Sequence, residues 1–143
     1  MAVIAWIAII FYLSSLSNDA VATVGPYDAP VFDWLGSLKS VAAHMAVYAA
    51  LASLIQAAVW TWKTGVGPTM GIAWAAAAAA GVYGLSDEFH QLFVIGRSAS
   101  WLDAAANAAG AVAAAMVMRF AMKSISPRLR FHLTTSPAPR RST

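Results

Sequence analysis

Apolar blocks dominate this chain, and short polar stretches divide them. Residues 1–16 carry no charged side chain. As a helix at 1.5 Å per residue they reach roughly 24 Å, short for a membrane span but sufficient with interfacial flanks. Ala20-Val21-Ala22 resembles a signal-peptide cleavage site, but the basic start of such a peptide is missing, so the run is read as a retained helix. Residues 17–40 hold Asn18, Asp19, Gly25-Pro26, Pro30 and Asp33, which interrupt helical periodicity and predict a loop. Its Tyr27, Phe32 and Trp34 suit a segment lying against headgroups. Residues 41–62 predict the clearest span, with Trp60, Trp62 and Lys63 at its far interface. A Gly and Pro turn at 64–69 makes the next apolar segment, 70–85, antiparallel to it. Residues 101–122 predict a fourth helix.

Composition turns this pattern into a class. With 60% hydrophobic and 10% charged residues in a 143-residue chain, the pattern predicts one domain, an all-α integral membrane bundle of about four transmembrane helices spanning 1–124. Residues 125–143 predict a basic, Pro-containing, disordered tail. The absence of cysteine excludes a disulfide framework and thiolate chemistry. The net charge of +3 does not point to nucleic acid, because the basic residues gather at the end of the chain, where lipid headgroups are the fitting partner. Lys123, Arg128, Arg130, Arg140 and Arg141 place that tail in the cytoplasm. Four passes then put the amino terminus inside as well, and segments 17–40 and 86–100 on the outer face.

Candidate chemistry concentrates between the last two apolar blocks. Asp87, Glu88, His90, Gln91, Arg97, Asp103 and Asn107 lie within one short stretch, and ionisable groups at membrane helix ends are costly to keep without a role. Asp87 and Gln91 are i, i+4, and Glu88 and Gln91 i, i+3, so a helical end here clusters carboxylate, amide and imidazole. Asp103, Asn107 and Gly110 form one stripe on the fourth helix. An Asp at a helix centre costs roughly 2.5 to 3.5 kcal/mol on insertion scales, so this stripe is expected to face the bundle or the interface. His44 and Tyr48 share a face of the second span and are placed to bond each other or a common ligand. Gly96 permits a sharp turn before Arg97, whose guanidinium is expected to pair with Asp103, with Asp87 and Glu88 as competing partners, or to receive an anion. His44, Asp87, Glu88, His90 and Asp103 supply metal donors, but no HExxH or comparable spacing accompanies them, so no metal and no cofactor is expected. Ser86, Ser98 and Ser100 lack a nucleophile-elbow context.

These motifs resemble the VanZ-like family, membrane proteins named for a teicoplanin resistance determinant. The resemblance rests on Ser86-Asp87-Glu88-Phe89-His90-Gln91, then Gly96-Arg97-Ser98-Ala99-Ser100, then Asp103, Asn107 and Gly110. His44-x-x-x-Tyr48 resembles the family's earlier helix motif, and Phe11-Tyr12-Leu13-Ser14-Ser15 the end of its first helix. Together they cover residues 1–120. Two positions depart: Ile95 stands where a Pro is common, and Lys39 lies five residues before His44, farther than the family's basic residue. The resemblance implies a small multi-helix protein of the bacterial cytoplasmic membrane, associated with the cell envelope and glycopeptide resistance.

Two functions fit the constellation. In the first, an anionic lipid or cell-wall precursor is recognised at the outer face, with Arg97 on a phosphate or carboxylate and Tyr48, Gln91, Asp103 and Asn107 completing the site. In the second, His44, Asp87 or Glu88 acts as acid or base on a lipid-linked phosphate or acyl group. A purely structural network is the third reading.

Overall fold

The structure, a computed structural model, describes residues 1–24, 38–62 and 69–134. Its helices are α1 (Ala2–Ser14), α2 (Asn18–Val24), α3 (Lys39–Trp62), α4 (Met70–Gln91) and α5 (Trp101–Thr134). No strand occurs among the described residues, so the all-α class holds. Local capping explains several boundaries. Ser17 starts α2 by accepting from the Ala20 N–H at 3.3 Å, with Asp19 in the favourable first turn. The expected loop at 17–40 therefore begins with a helix. The aromatic and Pro-bearing remainder of that segment, 25–37, lies outside the described residues, as does 63–68 with the expected turn and Lys63. Thr69 caps α4 through the Ile72 N–H at 3.3 Å. α5 continues to Thr134, well into the segment expected to be a disordered tail, whose remainder lies outside the described residues.

Contacts fix the directions of the helices. Ser40 meets Asp103 and His44 meets Asn107, so α3 and α5 run parallel. Tyr83 donates to the Ile7 carbonyl at 3.2 Å, and Ser15 meets His90 at 3.2 Å, so α1 runs parallel to α4. Trp6 Nε1 donates to the Val47 carbonyl at 3.0 Å. In chain order, α1, α3, α4 and α5 thus alternate in direction. The end of α1, the start of α3, the end of α4 and the start of α5 gather at one pole.

Two helices, Lys39–Trp62 and the Trp101–Ser124 part of α5, are long and apolar enough to cross a membrane. Only 22% and 28% of their most apolar windows is buried in the protein, unlike the core helix of a soluble domain. α1, with 13 residues, spans only ~20 Å. α4 has the length of a span, but its last turns carry Asp87 and Glu88.

Packing follows a stripe of small residues. On α4 the buried positions are Ala73, Ala76, Ala77, Ala80, Gly84, Asp87, Glu88 and Gln91, one inward face at helical period. Ala73 and Ala77 meet Ala115 of α5, flanked by Val112 and Met116. Nearer the gathered pole, Ile10, Tyr48, Leu51, Ala52, Ala80 and Ala111 form a second cluster. Small side chains let backbones approach closely in lipid, where packing rather than water exclusion holds helices together. Trp74, Val82, Phe89, Val117 and Phe120 point outward, as lipid-facing residues do.

Candidate functional site

The inward face of α4 changes character within two turns, from alanine to Asp87, Glu88 and Gln91, which are 7%, 6% and 3% exposed. Opposite them stand His44 and Tyr48 on α3, and Asp103 and Asn107 on α5. Gly84 makes this convergence close. A Cβ there would meet Asn107 Cβ at 2.9 Å and Tyr48 Cε1 at 3.2 Å. Gly110, one turn beyond Asn107, lies directly against the Met45 main chain.

Each polar side chain has a defined place. Gln91 Nε2 donates to Asp87 Oδ2 at 3.4 Å, the i, i+4 bond expected from spacing. Glu88 Oε2 accepts the Ser100 N–H at 3.1 Å, and Ser100 Oγ accepts the Asp103 N–H at 3.3 Å. Ser100 thus starts α5 and ties it to α4. Sequence reasoning dismissed Ser100 as a nucleophile and missed this role; its signal was a serine with an acid three residues on, the capping spacing. Ser40 also escaped notice, and it donates to Asp103 Oδ1 at 3.5 Å.

His44 and Tyr48 share a face but do not bond each other. His44 Nδ1 lies 3.0 Å from Asn107 Oδ1 and 3.8 Å from Glu88 Oε1, the latter an ion pair when the imidazole is protonated. The Tyr48 hydroxyl faces Asp87 without closing a hydrogen bond. Glu88 Oε1 and Asn107 Nδ2 are likewise buried with no hydrogen-bond partner among the described residues. His90 turns away from the cluster, stacking on Phe11 at 4.9 Å between ring centroids.

Arg97 goes elsewhere than expected. Its Nε donates to the Leu16 carbonyl at 3.0 Å, its Nη2 to the Leu13 carbonyl at 3.1 Å and its Nη1 to Asn18 Oδ1 at 3.1 Å. Two of its five N–H donors therefore clasp the end of α1 and a third holds the start of α2, and the expected pairing with Asp103 is replaced. The reason is local: the last carbonyls of a helix lack intrahelical donors, and a guanidinium fork serves several acceptors at once. Gly96, at φ +81°, occupies the left-handed region and aims the next residue back toward α1.

His44, Glu88 and Asp103 come together, one potential ligand atom from each lying within 4.8 Å of the others. The wider donor set considered from sequence is thereby divided, since Asp87 bonds Gln91 and His90 meets Ser15 and Phe11. These features define an all-helical membrane protein with a buried acid, imidazole and amide cluster where three helix ends meet. The family model described as VanZ/LLP1 matches residues 1–122, and the chain belongs to that family. No curated protein and no solved structure matches the chain.

Proposed function

We propose that this VanZ-family membrane protein receives the anionic headgroup of a lipid or lipid-linked envelope precursor at the pole where His44, Tyr48, Glu88 and Asn107 meet. One observation carries the reading. Tyr48, Glu88 and Asn107, on three different helices, each present a buried polar atom without a hydrogen-bond partner among the described residues. Such atoms cost about 1–3 kcal/mol each when left unmet, and a headgroup whose anionic oxygens accept from Tyr48 and Asn107 and whose hydroxyl donates to Glu88 satisfies them. Arg97 contributes by holding α1 against this pole rather than as the primary anion contact.

The charge bias of the tail supports an outer location for the site and cytoplasmic termini. A cysteine at Ala99 is then labelled by an impermeant thiol reagent in intact cells, and one at Thr69, on the opposite pole, is not. The reverse pattern moves the site to the cytoplasmic face.

Native mass spectrometry of gently purified protein tests the headgroup reading. An anionic lipid species is expected to stay bound to the wild type, with at least a fivefold loss in Tyr48→Phe; equal retention in folded Tyr48→Phe and Asn107→Leu variants rejects it. The envelope link is read as teicoplanin tolerance in cells expressing wild type or Tyr48→Phe, with only the former raising it.

The 3.8 Å approach of His44 to Glu88 favours a second reading, acid/base catalysis on the bound phosphate or acyl group. Glu88→Gln keeps the shape and removes the base. Lipid retained and unchanged in wild type and variant alike identifies a binder; lipid converted by wild type alone identifies an enzyme.

A further inference from the structure

We infer that His44, Glu88 and Asp103 bind one divalent cation of the zinc and manganese kind. The inference deepens the headgroup reading and rests on it for the ion's purpose. The donor chemistry is one imidazole nitrogen and two carboxylates, contributed by α3, α4 and α5 and lying within 4.8 Å of one another. Nitrogen and carboxylate oxygen suit zinc or manganese, and a chain without cysteine offers no thiolate for softer ions. With metal–ligand bonds of about 2.0–2.2 Å, neighbouring ligand atoms stand ~3–3.5 Å apart, so the three side chains close by roughly an ångström around the ion.

Glu88 supplies a separate indication of a missing partner. It is 6% exposed; its Oε2 is held by the Ser100 N–H, while Oε1 has no hydrogen-bond partner among the described residues. That bare oxygen faces His44 Nδ1 at 3.8 Å, into the space the three donors surround. A buried carboxylate oxygen is seldom left without a donor or a cation. The surroundings are also arranged as an outer layer. Ser40 Oγ reaches Asp103 at 3.5 Å, the kind of contact that orients metal ligands, and His44 Nδ1 exchanges its 3.0 Å contact with Asn107 Oδ1 for the ion.

The ion resolves a conflict of charge. Asp87, Glu88 and Asp103 crowd one pole, and Arg97 is spent on α1, so an anionic headgroup entering there approaches carboxylates. A divalent ion offsets the charge of its two carboxylate ligands and keeps coordination positions open for a phosphate or carboxylate oxygen.

The test uses the full-length protein in lipid nanodiscs, stripped with chelator and dialysed, then titrated separately with Zn²⁺ and Mn²⁺. Bound metal is counted by inductively coupled plasma mass spectrometry and affinity by calorimetry. One equivalent is expected for at least one of the two ions, weakened at least tenfold by Glu88→Gln and by Asp103→Asn. Asp103 is half-buried and its carboxylate accepts one long hydrogen bond among the described residues, so Asp103→Asn keeps the readout valid if Glu88→Gln misfolds. Asp87→Asn, beside the site but bonded to Gln91, is expected to change affinity less than threefold. No saturable metal in the wild type, or equal binding by wild type and folded Asp103→Asn, overturns the inference. Lipid retention is measured in parallel with and without chelator. Metal bound without lipid upholds the cation site and rejects the headgroup reading; lipid held with no metal bound does the reverse.

Discussion

α5 and α1 are attached to the same bundle by opposite means. α5 meets its neighbours through missing side chains: Gly110 lies against the Met45 main chain of α3, Ala111 is fully buried, and Ala115 packs on Ala73 and Ala77 of α4. α1 sets Ile10 into the core but is otherwise held by polar side chains reaching over from elsewhere, Tyr83 to the Ile7 carbonyl and Arg97 to the Leu13 and Leu16 carbonyls, while its own Trp6 reaches Val47. The first kind of joint depends on shape and tolerates no added atom. The second depends on a few directional bonds and tolerates partial loss.

The largest effect is expected at the shape joint. In Gly110→Ala the new Cβ meets Met45 Cα at 2.7 Å and its carbonyl carbon at 2.8 Å, main-chain atoms that cannot turn aside. Overpacking of this kind costs about 3 kcal/mol. Loss of folded protein in detergent, read by size exclusion and thermal melting, is the expected outcome; wild-type stability would show that α3 and α5 are not held so closely.

Next in size is the clasp. Arg97→Gln shortens the side chain and removes charge-assisted bonds, with a net cost of about 2 kcal/mol. Helices α3 to α5 are expected to stay assembled while the last turn of α1 exchanges its amide hydrogens faster; uniform loosening of all helices would place the clasp in the central bundle instead. Trp6→Phe, which gives up one indole bond, is expected to cost about 1 kcal/mol, with the same local exchange signature.

The smallest change sharpens the contrast within one helix. A Cβ at Gly81 has nothing within 4 Å, whereas at Gly84 it meets Asn107 and Tyr48. Gly81→Ala is expected to stabilise by about 0.5–1 kcal/mol through helix propensity alone. Gly84→Ala is expected to give a net loss and to displace Asn107. Equal melting shifts for the two would remove Gly84 from the site.

What could be read from the sequence follows the same division. Apolar blocks and i, i+4 spacing bring out the spans, the Asp87–Gln91 bond and the inward stripe of Asp103, Asn107 and Gly110, because these depend on local periodicity. The partner of Arg97 is not legible in that way. Asp103 is near in sequence and opposite in charge, but the acceptors chosen are main-chain oxygens of Leu13 and Leu16, which any residue type would provide. α2 escaped because its residues look like loop and its cause is a single cap at Ser17. The triad of His44, Glu88 and Asp103 is assembled from three helices, so no short spacing could announce it.

The clasp by Arg97 also bears on how the chain is made. Leu13 and Leu16 leave the ribosome 84 and 81 residues before Arg97 does, an interval of roughly 4–16 s at ordinary rates of synthesis. Throughout that time the Leu16 carbonyl lacks its guanidinium partner, and Trp6 can reach Val47 well before Tyr83 and Arg97 arrive. Docking of the first helix is thus completed late, by the turn at Gly96 that precedes α5. A chain truncated just before residue 96 would leave the end of α1 without its guanidinium clasp.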